Sequence, residues 1–350
     1  MNPHLQPWTI DADSFPADSF ASDQMEFLLG YAVLAPSTHN TQPWLFRINA
    51  MNLDVVADRR RALRVVDPYD RELTISCGAA LFNLRVATEY FGHVFQVTLL
   101  PDPADANLLA RFDLGLSGDT SSEDILLFQA ITKRRTTRAP FRLEPLPEDL
   151  LAALTAAAQK EGASLCWFTA EAHRNAIADL VAEADRVQWA NKAFREEIAR
   201  WLRTRPEAAR DGIPTQDVGV KDWLSFAGPA LVRTFDRGGG QAARDRDIAL
   251  HSPTLAVLST DADEPAAWLQ AGQALEAVLL RATAEGVCAS WLNQPVEVPD
   301  LRQRLAGLLP TPGQPQVLLR LGYGQPPPTP TPRRSVRELL ILHRAASGTG

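Results

Sequence analysis

Three short stretches hold the side chains with the most chemical capacity. Residues 35–44 read Ala-Pro-Ser-Thr-His-Asn-Thr-Gln-Pro-Trp. Between Pro36 and Pro43 stand Ser37, Thr38, Asn40 and Gln42, each able to donate or accept hydrogen bonds. Pro36 favours an end to the apolar, helix-like run Phe27 to Leu34, and Pro43 biases Gln42 toward extended backbone. A stiff polar loop at such a helix-to-strand corner suits recognition of a flat polar ring. The alternative is a turn whose Ser and Asn satisfy only their own backbone. The second stretch, Lys133-Arg134-Arg135-Thr136-Thr137-Arg138, packs four cations and two hydroxyls into six residues. Cations so crowded repel one another without an anion nearby, and the guanidinium fork matches phosphate oxygens. The alternative is a solvated basic turn. The third, Arg333-Arg334, follows a proline-rich segment, 326–332, expected to be extended.

Several function classes fall away on composition. The 350 residues carry a formal charge of −7, so there is no basic excess for general nucleic-acid binding. No run of 18 apolar residues exists, so no membrane-spanning helix is expected. The N-terminal twenty residues lack a basic-then-apolar signal pattern. Cys77, Cys166 and Cys288 stand apart in apolar surroundings, which suits small core residues in a reduced, cytoplasmic protein. The six histidines show no metal-binding spacing. His39 is expected at the surface. Gly238-Gly239-Gly240 opens no phosphate loop and reads as a flexible loop. Asp67, Asp70, Arg71 and Glu72 form a dense charged turn, read as a surface network, with a place at the binding site as the alternative.

The elements that must position these groups come in two related sets. Gly78-Ala79-Ala80-Leu81 reaches Gly92 fourteen residues on, and Gly272-Gln273-Ala274-Leu275 reaches Gly286 fourteen residues on. Each is a long apolar helix ending at a glycine suited to a left-handed cap, followed by an apolar strand-like run. Strands are expected at Leu45 to Ile48, Ser164 to Thr169, Thr254 to Thr260 and Gln316 to Leu321. Helices are expected at Asp124 to Ile131, Asp149 to Glu161 and through most of Glu171 to Arg205. Gly115 to Asp124, small and polar, reads as a linker or surface loop dividing the chain.

The loop "APSTHNTQPW" resembles the flavin-contacting loop of the nitroreductase family, and "DRRRALRVVDPYDRELTISCGAALFNLRVA" resembles its Acg-type branch. The resemblance covers roughly residues 24–340. It implies an α+β nitroreductase-like fold with two related units fused as a pseudo-dimer, one of residues 1–118 and one of residues 119–350. It implies one noncovalently bound FMN. Pro36, Ser37, Thr38, Asn40 and Gln42 would meet the flavin. Arg134, Arg135, Thr136 and Arg138 would take the family's phosphate and ribityl motif. One of Arg333 and Arg334 would close over the phosphate. Asn293 and Gln294 would run along the ring edge, where many nitroreductases carry Glu-Gly. No side chain need act as nucleophile or base. The activity implied is reduction of a small acceptor such as a nitroaromatic or quinone at the expense of NAD(P)H. The Acg-type alternative is an FMN-sequestering or storage protein whose flavin lies under a lid, here residues 204–240. The second unit has no counterpart of the Pro36–Asn40 loop and the first has no basic opening. One complete site per chain is therefore expected, with a monomer or loose homo-oligomer as the assembly.

Overall fold

A computed structural model describes residues 3–204, 209–214 and 238–341. The chain opens with α1 (Ala21–Ala32), β1 (Trp44–Asn49), β2 (Asn52–Ala57), α2 (Arg71–Tyr90), β3 (His93–Leu99) and β4 (Leu108–Ser117). After α3 (Ser122–Ile131) the same order returns, with an insertion: α4 (Glu148–Lys160), β5 (Ser164–Phe168), α5 (Glu171–Ala190), α6 (Lys192–Trp201), α7 (Gly238–Leu250), β6 (Thr254–Thr260), α8 (Pro265–Ala284), β7 (Cys288–Trp291), α9 (Pro299–Ala306) and β8 (Gln314–Gly322). The two four-stranded sheets run β1-β2-β4-β3 and β5-β6-β8-β7, antiparallel throughout. The helix–sheet unit therefore occurs twice, with the same strand order. In the first copy two residues join the first strand pair. In the second, residues 169–253 intervene and carry α5 to α7.

The long helices α2 and α8, 20 residues each, pack against one another between the sheets. Their crossing is built on glycine. A Cβ on Gly272 would stand 2.0 Å from the Ile75 carbonyl oxygen, and one on Gly78 would stand 2.3 Å from the Leu269 carbonyl oxygen. Each glycine thus meets the carbonyl three residues before its counterpart, the reciprocal contact of a twofold-related pair. Both helices stop at a glycine with φ of 72°, Gly92 and Gly286, in the left-handed region that closes helix ends. Apolar side chains then fill two cores, one between α1, α2 and the first sheet, the other between α4, α8 and the second. α5 and α9 cover the outer face of the second sheet.

Three local expectations change. Gly115 and Ser117 belong to β4, where Gly115 packs on Val94, and the loop proper is only 118–121. Ser121 then starts α3 with a reciprocal capping box to Asp124. Gly238 to Gly240 form the first turn of α7 instead of a loop. Asp67, Asp70, Arg71 and Glu72 are buried, so they are not a surface network.

The C-terminal arm leaves the second unit and lies on the first. Trp8 Nε1 donates to the Thr331 carbonyl (2.8 Å), and the Ile341 N–H donates to the Phe46 carbonyl (2.7 Å).

Candidate functional site

A cavity of about 290 Å³ lies where the two units meet. Its walls include the N-terminal turns of α2, the loop after α1, the basic block after α3, the end of β7 and the insertion helices α5 to α7. Of the residues singled out in the sequence, Pro36, Ser37, Thr38, Asn40, Arg134, Thr136, Arg138, Asn293, Gln294 and Arg333 line it. Gln42, Arg135 and Arg334 do not.

The polar loop is held in an unusual backbone shape. His39, Asn40 and Gln42 have φ of 53°, 54° and 50°. Gln42, expected to be extended ahead of Pro43, is therefore left-handed. Such residues are strained and persist only where surroundings fix them. Ser37 Oγ accepts from the Gln42 N–H (2.9 Å). Gln42 is fully buried, with Nε2 donating to the Arg210 carbonyl (2.9 Å) and Oε1 accepting from the Arg334 N–H (2.7 Å). Asn40 Nδ2 donates to the Pro332 carbonyl (3.1 Å), and its Oδ1 accepts from Arg333 (3.0 Å). Gln42 and Arg334 are thus the loop's internal ties. His39 lines the cavity, contrary to the surface place expected for it; burial and then the Arg138 charge push its pKa down to about 4, so its ring is neutral.

The basic block docks beside β7: Thr136 bridges to Ala289, and the Thr137 N–H donates to the Ala289 carbonyl (3.0 Å). Arg134 and Arg333 are both buried and converge on the end of the α1 segment. Each donates to the Leu34 carbonyl at 3.1 Å, and Arg333 also to the Ala35 carbonyl. Arg135 turns the other way and stacks on Trp8, its guanidinium carbon 4.4 Å from the ring centroid; Arg333 shares that ring at 4.8 Å. The carboxylate set among them is that of buried Glu276, 3.4 Å from Arg134. Burial pushes Glu276 up to about 7 against the pull of Arg134 and Arg333. Burial, and then the Arg134 charge, lowers both Arg333 and Arg135. The helix-end carbonyls contribute about half a negative charge. Two buried guanidiniums, Arg134 and Arg333, against one half-titrated carboxyl and half a dipole charge leave positive charge uncompensated in a dry place, which an anion would offset. A phosphate group fits that deficit.

The charged turn at 67–72 takes its alternative place, with Glu72 at the cavity wall. Glu72 accepts from Thr38 Oγ1 (2.8 Å), Arg71 (3.2 Å) and Asn293 Nδ2 (3.3 Å), so α2 ties the polar loop to the segment after β7. Asn293 Oδ1 in turn accepts from the Leu318 N–H (3.0 Å). The charge of the 67–72 turn was visible in the sequence, but its burial was not. Asp185 on α5 and Asp245 on α7 also face the cavity, beside Gln241 and Gln294. Trp189, Phe194 and Ile198 add an apolar side. Of the segment 204–240, residues 205–208 and 215–237, with Trp223 and Phe226, lie outside the described residues. Within the described part, Gly212, Ile213 and Pro214 line the cavity, and the Gly212 carbonyl accepts from Asn40 Nδ2 (3.3 Å).

In the second unit the place equivalent to the polar loop is nearly gone. Eleven residues, 33–43, join α1 to β1; three, 161–163, join α4 to β5. Arg85 reaches from α2 to pair with Glu161 there and donates to Gln273 Oε1 (2.8 Å).

The sequence model of the nitroreductase family matches residues 131–323. A Mycobacterium tuberculosis protein bearing the name NAD(P)H nitroreductase is 32% identical over 324 residues, 91% of each chain. The chain belongs to the nitroreductase family. The M. tuberculosis NAD(P)H nitroreductase named Acg is 29% identical, over 93% of this chain and 97% of that protein. The FMN-dependent nitroreductase NfnB of Mycobacterium smegmatis, solved with NADPH, is 18% identical and overlaps 63% of this chain and 99% of its own, with a TM-score of 0.38. Among the described residues no helix is long and apolar enough to cross a membrane, and no cluster of His, Cys, Asp or Glu has the makings of a metal site.

Proposed function

We propose that this chain is an FMN-binding oxidoreductase that takes electrons from NAD(P)H and passes them to a small acceptor such as a nitroaromatic or a quinone. The observation that carries the reading is the buried excess of guanidinium charge at one end of the cavity, beside the polar loop. Arg134 and Arg333 would hold the phosphate, with Thr136 and Arg138 beside them. Pro36 to Asn40, Asn293 and Gln294 would frame the ring, and Glu72 fixes both Thr38 and Asn293. FMN, when bound, supplies the two-electron carrier; the chain supplies binding, orientation and exclusion of water. Arg135, Gln42 and Arg334 support this site from behind. The division at residues 118/119 would then separate a unit that brings the loop from one that brings the clamp.

A second reading is favoured by one observation. Gly212 to Pro214 lie on the polar loop and narrow the cavity, as a flavin-sequestering protein with a covered ring would require. One experiment separates the two. The purified protein, loaded with FMN, is given NADPH anaerobically. Bleaching of the flavin spectrum supports the oxidoreductase. Resistance to NADPH with bleaching by dithionite supports sequestration. Failure to bind FMN overturns both.

A further inference from the structure

The cavity wall formed by α5 and α7 holds two carboxyl groups that the site above does not use. Asp185 is 1% exposed, and its Oδ2 accepts no hydrogen bond from any described N–H or O–H group. What lies within hydrogen-bonding reach of its carboxyl is the Asp245 carboxyl, together with Gln294. Asp245 Oδ2, by contrast, accepts from Gln241 Nε2 and Gln294 Nε2, each at 2.9 Å. Two carboxylates in contact in a dry place cannot both ionise, and the proton stays on the one with fewer donors. That residue is Asp185: burial first, and then the Asp245 charge, push it up to about 8. The neighbours on every side are consistent with one shared proton. Arg186 lies on α5, Arg244 on α7 and Arg320 on β8, while Glu297, itself raised by burial, lies on the short helix after β7. Further charges on the packed elements are engaged elsewhere: Glu183 with Arg304 of α9, Asp179 with Arg246 of α7, and Glu197 of α6 with the Val65 and Val66 N–H groups.

We propose that Asp185 and Asp245 hold one proton at the cavity wall and that Asp185 gives it to an oxygen of the acceptor, which places the acceptor against α5 and α7 beside Gln294. This rests on the oxidoreductase reading. Reducing a quinone to a hydroquinone takes two electrons and two protons. On that reading NAD(P)H would be the source of both electrons and of one proton, together a hydride equivalent. The remaining proton must come from an acid. The Asp185 O–H bond breaks, an acceptor O–H bond forms, and the carboxylate left behind regains a proton from water after the product leaves. Burial raises Asp245 as well, but Gln241 and Gln294 donate to its carboxylate and favour its charged form, so Asp185 is the member that exchanges. A nitro group, whose oxygen leaves as water, needs the same donor.

The test uses the full chain with FMN bound, and Asp185→Asn and Asp245→Asn variants. The first readout is independent of turnover: the infrared carboxylic-acid carbonyl band between pH 6 and 10. The wild type should show a component that vanishes on titration near pH 8, and Asp185→Asn should lack it. The second is oxidation of chemically reduced enzyme by benzoquinone. Its rate should fall above about pH 8 in the wild type. Asp185→Asn should lower it on the order of a hundredfold and remove that pH dependence, as expected for loss of a general acid. FMN affinity should change less than threefold. Asp245→Asn should move the inflection to lower pH. An unchanged infrared band in Asp185→Asn, or unchanged quinone oxidation with the band gone, overturns the proposal. A wild type that binds no FMN overturns the donor role together with the functional reading, and the band then still decides whether the proton is shared.

Discussion

Gly272→Ala is the sharpest probe of the paired-unit architecture. The new methyl carbon would sit 2.0 Å from the Ile75 carbonyl oxygen and 2.9 Å from the Ala79 nitrogen, all backbone. Ordinary contact begins near 3.4 Å. The two helices must therefore separate by roughly 1.4 Å at their closest point, because no flexible side chain can yield there. Overpacking a close-packed core costs typically 1–3 kcal/mol, and a backbone-on-backbone clash belongs at or above the upper end, about 3–4 kcal/mol. The better helix propensity of alanine returns about 1 kcal/mol. The net loss should be about 2–3 kcal/mol. Gly78→Ala, 2.3 Å from the Leu269 oxygen, should lose a similar amount. The double variant should lose less than the sum, because the first substitution has already parted the helices. Gly240→Ala is the control, since nothing lies within 4 Å of its added methyl; it should be neutral or stabilising by up to about 1 kcal/mol. Urea unfolding followed by circular dichroism gives these differences. Because Glu72, Ile75 and Ser76 on α2 and Leu275 on α8 line the cavity, FMN affinity should fall along with stability. A Gly272→Ala protein within about 0.5 kcal/mol of wild type, the range of ordinary surface changes, would refute the close reciprocal crossing.

Other outcomes follow from the site. Arg134→Gln should weaken FMN at least about tenfold while hardly changing riboflavin, since a charge-assisted bond is worth about 1.5–3 kcal/mol; Arg135→Ala, stacked on Trp8 outside the cavity, should affect the two ligands alike, and calorimetry of each pair checks both. Titration should saturate at one FMN per chain, and two equivalent sites per chain would defeat the account of the shortened 161–163 turn. The stability of the ligand-free protein should decline from about pH 4.5 to about pH 8, unopposed by His39 above about pH 6.5. Folded-state Glu276 and Asp185 are raised to about 7 and about 8, so there the folded chain holds protons that the unfolded chain has released, and stability drops by at most about 1.4 kcal/mol per pH unit per proton. His39, depressed to about 4, is neutral in both states above pH 6.5 and adds stability only as pH rises from 4 toward that point. Glu276→Gln should flatten the decline; an unaltered slope would show that Glu276 keeps an ordinary carboxylate pKa.

What the sequence made legible were local patterns with strong physics. The helices of the repeat were readable because apolar spacing and a capping glycine occur together at Gly78–Gly92 and Gly272–Gly286. The polar loop was readable because two prolines bracket it. The block after α3 was readable because four cations in six residues demand an explanation. The roles inside these patterns were less legible. Arg134 and Arg135 are adjacent and chemically identical, yet successive side chains point apart, one into the cavity and one onto Trp8. Gln42 looked like a ring contact and is a buried brace, because partners 168 and 292 residues away claim its amide. Glu72 was legible only as the alternative reading of a charged turn, and Asp185 and Asp245 were missed altogether. Charge in a turn or on a helix predicts solvent on average, and only the fold decides which carboxylates end up dry. Gly238 to Gly240 misled for a related reason, since poor helix propensity yields to tertiary context.

The shortened turn at 161–163 and the long insertion at 169–253 occur in only one of the two matching units. When identical subunits pair, every change is made twice, once on each side of the axis, so a segment that narrows one cavity narrows both, and a loop lost from one is lost from both. Joining the two copies in one chain lifts that restriction. One copy is free to give up its loop, fill the vacated place with Arg85 and Glu161, and keep only the clamp; the other is free to keep the loop and discard the clamp. The insertion then shapes this cavity with one set of side chains, so its access and the proposed proton supply and anion grip can each change at one place without disturbing a twin.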